Sequence, residues 1–248
     1  KRMLGLIRRY LEAGIMADGV VMERYEGTPQ GGPLSPLLAN VLLDEVDKEL
    51  EKRGLSFVRY ADDLNVYVRS KRAGEDAMQT LRRLYADLRL RINETKSTVG
   101  CPEDRKFLGY SFWYDKEGAV KRRVAPKALE AMKDRVRAIT SRTRGRSLTS
   151  VVEELRSYLL GWKNYFRLEE RLWLFRYLDG WIRRRLRMVQ LKQWGRGAKV
   201  FRELRARGMT ERAAKRVAAN GRRWWHNASM LIHIALPIRY FDELGVPR

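Results

Sequence analysis

The stretch Phe57-Val58-Arg59-Tyr60-Ala61-Asp62-Asp63-Leu64-Asn65-Val66-Tyr67-Val68 does most to restrict what this chain can fold into. On both sides of the acidic pair it is rich in β-branched and aromatic residues with period-2 alternation, which predicts strands. Val58 and Tyr60 share one face before the pair; Leu64, Val66 and Val68 share a face after it. Ala61-Asp62-Asp63 suits a tight turn, so the strands fold back as a hairpin with two carboxylates at its tip. Adjacent aspartates repel each other, and stability alone is a poor reason to place them there. A divalent cation removes that repulsion, and hard oxygen ligands suit Mg²⁺. In two-metal phosphoryl-transfer sites, ions roughly 3.5–4 Å apart activate an attacking hydroxyl and steady a leaving phosphate. An Asp-Asp pair alone reads as a solvated turn; Tyr-Ala-Asp-Asp between two apolar strands is a more specific signal.

The flanking sequence frames this hairpin. Leu4, Ile7 and Leu11 share a helical face that Gly14 can end, and Val20-Val21-Met22 suggests a short strand. Gly27-Thr28-Pro29-Gln30-Gly31-Gly32-Pro33-Leu34-Ser35-Pro36 is a shaped loop. Ser35 fits an N-cap with Pro36 at the first helical position, and Leu38, Val41 and Leu42 continue an amphipathic helix to about Arg53, closed by Gly54. Such a loop can be simple punctuation. It can also let backbone approach a nucleotide or template at Gly31 and Gly32, with Gln30 supplying both a donor and an acceptor. After the hairpin, Ala77, Leu81, Leu84, Tyr85 and Leu88 form another helix face. Phe107-Leu108-Gly109-Tyr110-Ser111-Phe112 reads as an apolar strand with a bulge glycine.

Charge divides the chain. Of its 52 Lys+Arg and 30 Asp+Glu, residues 1–120 carry 20 and 19, net +1, while residues 121–248 carry 32 and 11, net +21. That field, interleaved with aromatic residues, points to a nucleic-acid backbone as partner in preference to a membrane surface. Lys121-Arg122-Arg123-Val124-Ala125-Pro126 reads as a basic hinge, with helices after it. Leu129, Met132, Val136 and Ile139 form one stripe, and Arg142, Arg144 and Arg146 mark a basic loop. Ser150 with Glu153 forms a capping box for a helix burying Val152, Leu155 and Leu159. From Leu168 to Lys192, Leu172, Phe175, Ile182, Leu186 and Val189 face inward, while Arg171, Arg183, Arg184 and Arg187 fall largely outside that stripe and suit phosphate contact. Trp224 and Trp225 beside Arg222 and Arg223 can stack on bases or be a partly buried pair. His226 and His233 lack convergent ligands, and one cysteine, Cys101, excludes a disulfide framework or a multi-cysteine zinc site. With no signal peptide and no run of about 18 apolar residues, a soluble cytoplasmic protein without a membrane partner is expected.

Four blocks together resemble the group II intron-encoded reverse transcriptases: Thr28–Asn40, almost letter by letter, the Tyr60–Asp63 hairpin, residues 93–112, and Tyr158-Leu159-Leu160-Gly161-Trp162-Lys163-Asn164-Tyr165-Phe166, similar to their maturase (thumb, or X) motif. The resemblance implies an α+β chain: a partial right-hand polymerase palm, an antiparallel sheet with packed helices, at 1–120; an all-α basic thumb at 121–198; and a basic C-terminal helical extension at 199–248 without an endonuclease. It implies RNA-templated DNA synthesis and help with intron RNA folding, splicing and mobility. Asp62 and Asp63 would hold Mg²⁺ and act in catalysis with Lys96, which otherwise reads as a surface lysine in a turn. Tyr60, Ala61, Pro29, Gln30, Gly31, Gly32 and Asn93 would shape the nucleotide and template pocket, and Phe107, Leu108 and Gly109 would support the primer. Arg142, Arg144, Arg146, Lys163, Arg183, Arg184, Arg187, Arg222 and Arg223 would bind RNA. The partners implied are group II intron RNA, an RNA template with DNA primer, target DNA and dNTPs.

The family pattern also uses an Asp on an earlier palm strand. Asp18 and Asp44 lie in the wrong context to replace it, so the two-Mg²⁺ site is expected to be completed by an Asp outside this chain, from a missing N-terminal half or a homodimer partner. The chain alone is then expected to be inactive. A non-catalytic RNA-binding splicing factor, or a subunit of a split assembly, is the alternative; a retron-type enzyme is disfavoured by the motif at 158–166.

Overall fold

The computed structural model describes residues 2–17, 20–22, 27, 32–143, 145–220, 223–229 and 231–247. They combine helices with small antiparallel sheets, as an α+β chain should, and form two compact units, Lys1–Cys101 and Pro102–Arg248. No described helix is long and apolar enough to cross a membrane.

In the first unit, α1 (Arg2–Glu12) carries the expected Leu4, Ile7, Leu11 face, yet none of its residues is buried. Strand β1 (Ile15–Ala17) pairs antiparallel with β2 (Val20–Met22), with Ile15 opposite Met22. Helix α2 (Ser35–Lys52) starts one residue earlier than expected: Leu34 is the N-cap, and the Ser35 hydroxyl lies 3.0 Å from the Tyr10 hydroxyl. Its buried stripe is Leu43, Val46 and Leu50, while Val41 and Leu42 are exposed. Burying those three side chains contributes roughly 1.5–3 kcal/mol each. Gly54, at φ +67°, closes the helix. Strands β3 (Ser56–Tyr60) and β4 (Asp63–Tyr67) form the hairpin, and Ser70 Oγ then caps α3 (Lys71–Asp87) by accepting from Ala73 N at 3.2 Å. Phe57, Leu64, Val66, Leu81, Leu84 and Tyr85 pack on the Leu43–Val46–Leu50 stripe.

The second unit opens with a three-stranded sheet in the order β5 (Lys106–Phe107), β6 (Tyr110–Tyr114), β7 (Val120–Val124). Two expectations are corrected here. Leu108 and Gly109, at φ +50° and +77°, form a two-residue hairpin turn, not a bulge. Lys121–Val124 is strand, not hinge: it pairs with Tyr110–Trp113 of β6, and Arg122 Nε lies 2.8 Å from Glu170 Oε1.

The helices that follow are α4 (Pro126–Ile139), α5 (Leu148–Tyr165), α6 (Leu172–Trp194), α7 (Gly197–Ala206), α8 (Glu211–Ala219), α9 (Trp224–Asn227) and α10 (Ile238–Glu243). The α5 N-cap is Ser147, whose Oγ accepts from Ser150 N at 3.2 Å, so the expected Ser150 capping box is displaced. Arg146 occupies Ser150 instead, donating to its carbonyl and hydroxyl oxygens at 3.0 and 2.9 Å and pairing with Glu154. Leu174, Leu178, Ile182, Leu186, Met188, Val189, Leu191 and Trp194 of α6 reach the core. Trp173, Arg176, Tyr177 and Gly180 keep one side of its first half open to solvent, whereas no residue from Ile182 to Leu191 is exposed. Leu172, expected inside, is exposed at its first residue.

Candidate active site and nucleic-acid surface

The hairpin register pairs Phe57 with Val66, Arg59 with Leu64 and Tyr60 with Asp63, leaving Ala61 and Asp62 as a two-residue turn. Opposed residues share a face, so Phe57, Leu64 and Val66 point to the core while Val58, Tyr60 and Asp63 share the outward face. Both carboxylates are therefore presented to solvent, and Ala61 adopts φ +55° to make the turn. Among the described residues neither aspartate has a cationic partner.

The turn is fixed by a side chain that sequence reasoning passed over. Arg59, on the inward face, donates from Nε and Nη2 to Asp47 at 2.8 and 2.5 Å, and from Nη1 to Asn40 Oδ1 at 2.8 Å and the Ala61 carbonyl at 3.1 Å. One guanidinium fork thus ties the acidic turn to α2. Hydrogen bonding to Asp47 raises the Arg59 pKa, against the opposing effect of burial. Asn40 and Asp47, two helical turns apart on α2, were a readable signal. So was an arginine in an otherwise apolar strand. Tyr85 lies beneath the hairpin, its pKa raised by burial.

The loop residues Pro29, Gln30 and Gly31 lie outside the described residues; Gly32 is half-buried and its carbonyl accepts from Ser35 N at 3.3 Å. Asn93 shapes the next turn: its Oδ1 accepts from Thr95 Oγ1 at 2.7 Å and Lys96 N at 3.3 Å. Arg82 Nη2 holds Glu94 at 2.8 Å, fastening this segment to α3, and its hydrogen bond lowers the Glu94 pKa. Lys96 is exposed, and among the described residues no bond links it to Asp62 or Asp63. The two aspartates offer hard oxygen donors without a countercharge among the described residues, which fits part of a Mg²⁺ site. No group of three or more acidic, His or Cys side chains converges among the described residues.

In the second unit, Phe107, Leu108 and Gly109 meet the motif at 158–166. Tyr110 Oη donates to the Tyr165 carbonyl at 2.7 Å, Tyr165 Oη donates to the Leu108 carbonyl at 3.1 Å, and a Cβ on Gly109 would lie 3.1 Å from Phe166 Cζ. Phe166 is core; Trp162 is half-buried and Tyr165 exposed. Phe107, Leu108, Tyr110 and Tyr165, with Phe112, Arg122 and Leu168, border an apolar cavity of about 290 Å³.

The basic residues sort into two kinds. Arg142, Lys163 and Arg223 are exposed, while Arg144 and Arg222 lie outside the described residues. Arg183 is a correction: it is 1% exposed, 2.7 Å from Asp242 and 3.0 Å from Asp179, and joins α6 to α10 instead of facing solvent. Arg187 is half-buried, donates to the Leu236 carbonyl at 3.0 Å and has its pKa lowered by burial and then by Arg183. Arg146 is held against the first turns of α5 by Ser150 and Glu154. Arg184 stacks 3.9 Å from the centre of the Trp225 ring, which is exposed, whereas Trp224 packs on the core.

Comparison with known proteins bears on this arrangement. Residues 1–112 match the reverse transcriptase (RNA-dependent DNA polymerase) family, and residues 129–208 match the group II intron, maturase-specific domain. The chain is similar to protein YkfC of Escherichia coli (strain K12), 29% identical over 145 residues that cover 44% of this chain and 38% of that protein. It is 45% identical over 58 residues to the group II intron-encoded protein LtrA of Lactococcus lactis subsp. cremoris, covering 23% and 10%. It is 34% identical over 95 residues to the retron Ec86 reverse transcriptase of Escherichia coli, covering 36% and 30%. The matched segments thus span less than half the length of these relatives. A reverse transcriptase match over residues 1–112 followed in the same chain by a maturase-specific match over residues 129–208 distinguishes the intron type, and the two together support a group II intron-type reverse transcriptase/maturase.

Proposed function

We propose that this chain forms part of an RNA-directed DNA polymerase that also assists group II intron RNA folding, splicing and mobility. The observation that carries this is the acidic turn: two exposed aspartates without a cationic partner among the described residues, on a backbone held by the Arg59 fork. In this reading residues 1–120 are palm, 121–198 thumb and maturase, and 199–248 a basic nucleic-acid-binding extension. Asp62 and Asp63 would hold Mg²⁺, which when bound supplies positive charge to the attacking 3′-oxygen of the primer and to the departing pyrophosphate. The outward face of Tyr60 and Asp63, with Ala61, borders the incoming dNTP, and the Pro29–Gly32 loop and Asn93 complete its pocket. Lys96 places a cation near the phosphates. Phe107, Leu108 and Gly109 support the DNA primer on its RNA template. Arg142, Arg144, Lys163, Arg184, Arg222 and Arg223 contact RNA through its backbone and shape, and engage target DNA through the same charges. The third carboxylate of the site comes from outside the described residues or from a second polypeptide.

Primer extension on an RNA template with Mg²⁺ tests this, with the chain alone, mixed with co-purifying partner, and as Asp62→Ala/Asp63→Ala. Product in the mixture that vanishes in the double variant is expected; product that survives it refutes the site. The second reading is a non-catalytic RNA-binding factor, favoured by the net +21 of residues 121–248. Its signature is salt-sensitive RNA binding with no DNA product in any mixture.

A further inference from the structure

The second unit carries an open cleft of about 350 Å³ between the C-terminal end of α4, the loop after it, the middle of α6 and α9. Its walls bring together Arg142, Arg185, Met188, Trp225 and the hydroxyls of Ser141 and Thr143. Arg137 also reaches the rim, but Asp134 at 2.5 Å and Glu130 at 3.1 Å already neutralise it. Arg142 and Arg185 have no acidic partner among the described residues. Arg142 touches Met188 Sδ at 4.0 Å. Arg185 is held at one edge: its Nε donates to Thr140 Oγ1 at 2.6 Å, and Thr140 in turn donates to the Val136 carbonyl at 2.6 Å. The guanidinium is thus oriented while its charge is left uncompensated. Burial, and then the neighbouring Arg137 and Arg142, push its pKa down, a penalty that a bound anion relieves.

The aromatic wall is also fixed. Arg184 stacks on Trp225 and donates to its carbonyl at 3.2 Å. Two unpaired guanidinium groups beside an indole give a planar fork for a phosphate and a surface for a base. A carboxylate ligand would use the arginines and leave the indole without a role. The volume lies at the lower end of the range for small-ligand sites, about 300–1,000 Å³, enough for one nucleotide and too small for a duplex.

We propose that this cavity takes a single unpaired nucleotide of a polynucleotide strand, its phosphate between Arg142 and Arg185 and its base against Trp225. This rests on the nucleic-acid reading above and names the part of the surface that distinguishes single strands from duplex. The test is fluorescence anisotropy with the full chain and short labelled single-stranded RNA, single-stranded DNA and duplex RNA. Trp225→Ala should lower single-strand affinity about tenfold relative to duplex affinity, the loss of one base stack. Trp225→Phe should retain most of it, and Arg142→Gln should weaken single-strand binding by a factor that Trp225→Ala does not simply multiply. Equal losses for RNA and DNA support recognition of base and phosphate; a loss for RNA alone supports it with the 2′-hydroxyl included. Parallel losses on single strand and duplex, or no loss in Trp225→Ala, overturn the cavity while the RNA-binding reading stands. Absence of nucleic-acid binding by the unaltered chain overturns both.

Discussion

Replacing Arg59 by Met keeps the aliphatic stem and deletes the fork that joins the acidic turn to α2. The Arg59 and Asp47 side chains are 11% and 20% exposed, so this pair stands nearer the buried than the surface case. Exposed ion pairs contribute about 0.2–1 kcal/mol, whereas removing one partner of a buried pair costs about 3–5 kcal/mol. The variant also strands the Asp47 carboxylate and loses the bonds to Asn40 and Ala61. A destabilisation of about 2–4 kcal/mol is expected. Adding Asp47→Leu removes the stranded charge and should recover about half of it, giving a coupling energy of about 1.5–3 kcal/mol in the double-mutant cycle. Urea is the denaturant of choice, because salt would screen the pair under test. Because the chain has two compact units, hydrogen exchange at the 56–67 amides assigns the shifted transition to the hairpin. Primer extension in the mixture with the co-purifying partner should stay impaired in the double variant even as stability returns, since the Arg59 bond to the Ala61 carbonyl is still missing. A single-variant cost below about 1 kcal/mol, or an additive cycle, would refute the reasoning.

Three further outcomes are expected. Gly109→Ala sets a Cβ 3.1 Å from Phe166 at a φ of +77°, and should lower the stability of the second unit by about 1–3 kcal/mol in thermal melts, with Phe166→Leu relieving part of the loss. Burial works to raise the Glu169 pKa, but bonds from Arg171 and the Val124 and Arg171 amides outweigh it, so the net shift is downward. A carboxylate with a lowered folded pKa stabilises above its unfolded value near 4.3 and loses that contribution as pH falls through the folded value. The urea midpoint should therefore drop on acidification below about pH 4.3, and in Glu169→Gln that part of the drop should be missing. Arg183→Met removes a buried cation from Asp179 and Asp242 and should cost about 3–5 kcal/mol by urea unfolding, while RNA affinity measured below the transition changes little.

Much of the first unit was legible because its signals are local. Alternation and a turn-forming triplet were enough for the hairpin, though not for which of its faces turns inward. What could not be read depended on partners far away in the chain. Lys121–Val124 looks like a hinge until β6 pairs with it and Glu170, 48 residues from Arg122, accepts its charge. Arg183 and Arg184 are neighbours in sequence, and Asp242, 59 residues later, joins the nearby Asp179 in holding the first one buried. Helical periodicity assigns an inward stripe but assumes an outward one, and from Ile182 to Leu191 no residue of α6 is exposed. At the start of α5 the choice between Ser147 and Ser150 turns on Arg146 bonding to the second. Arg59 stood in plain view, but its inward direction follows from strand register, which alternation alone leaves open by one face.

Helix α2 also serves as a common datum for the acidic turn and for Gly32. Its first residue, Ser35, donates its amide to the Gly32 carbonyl, its Asn40 and Asp47 reach the turn, and its buried stripe packs under the hairpin. The spacing between Gly32 and the turn is therefore set by a rigid rod. Inserting or deleting a residue in α2 before Asn40 should rotate Gly32 about 100° relative to the carboxylates.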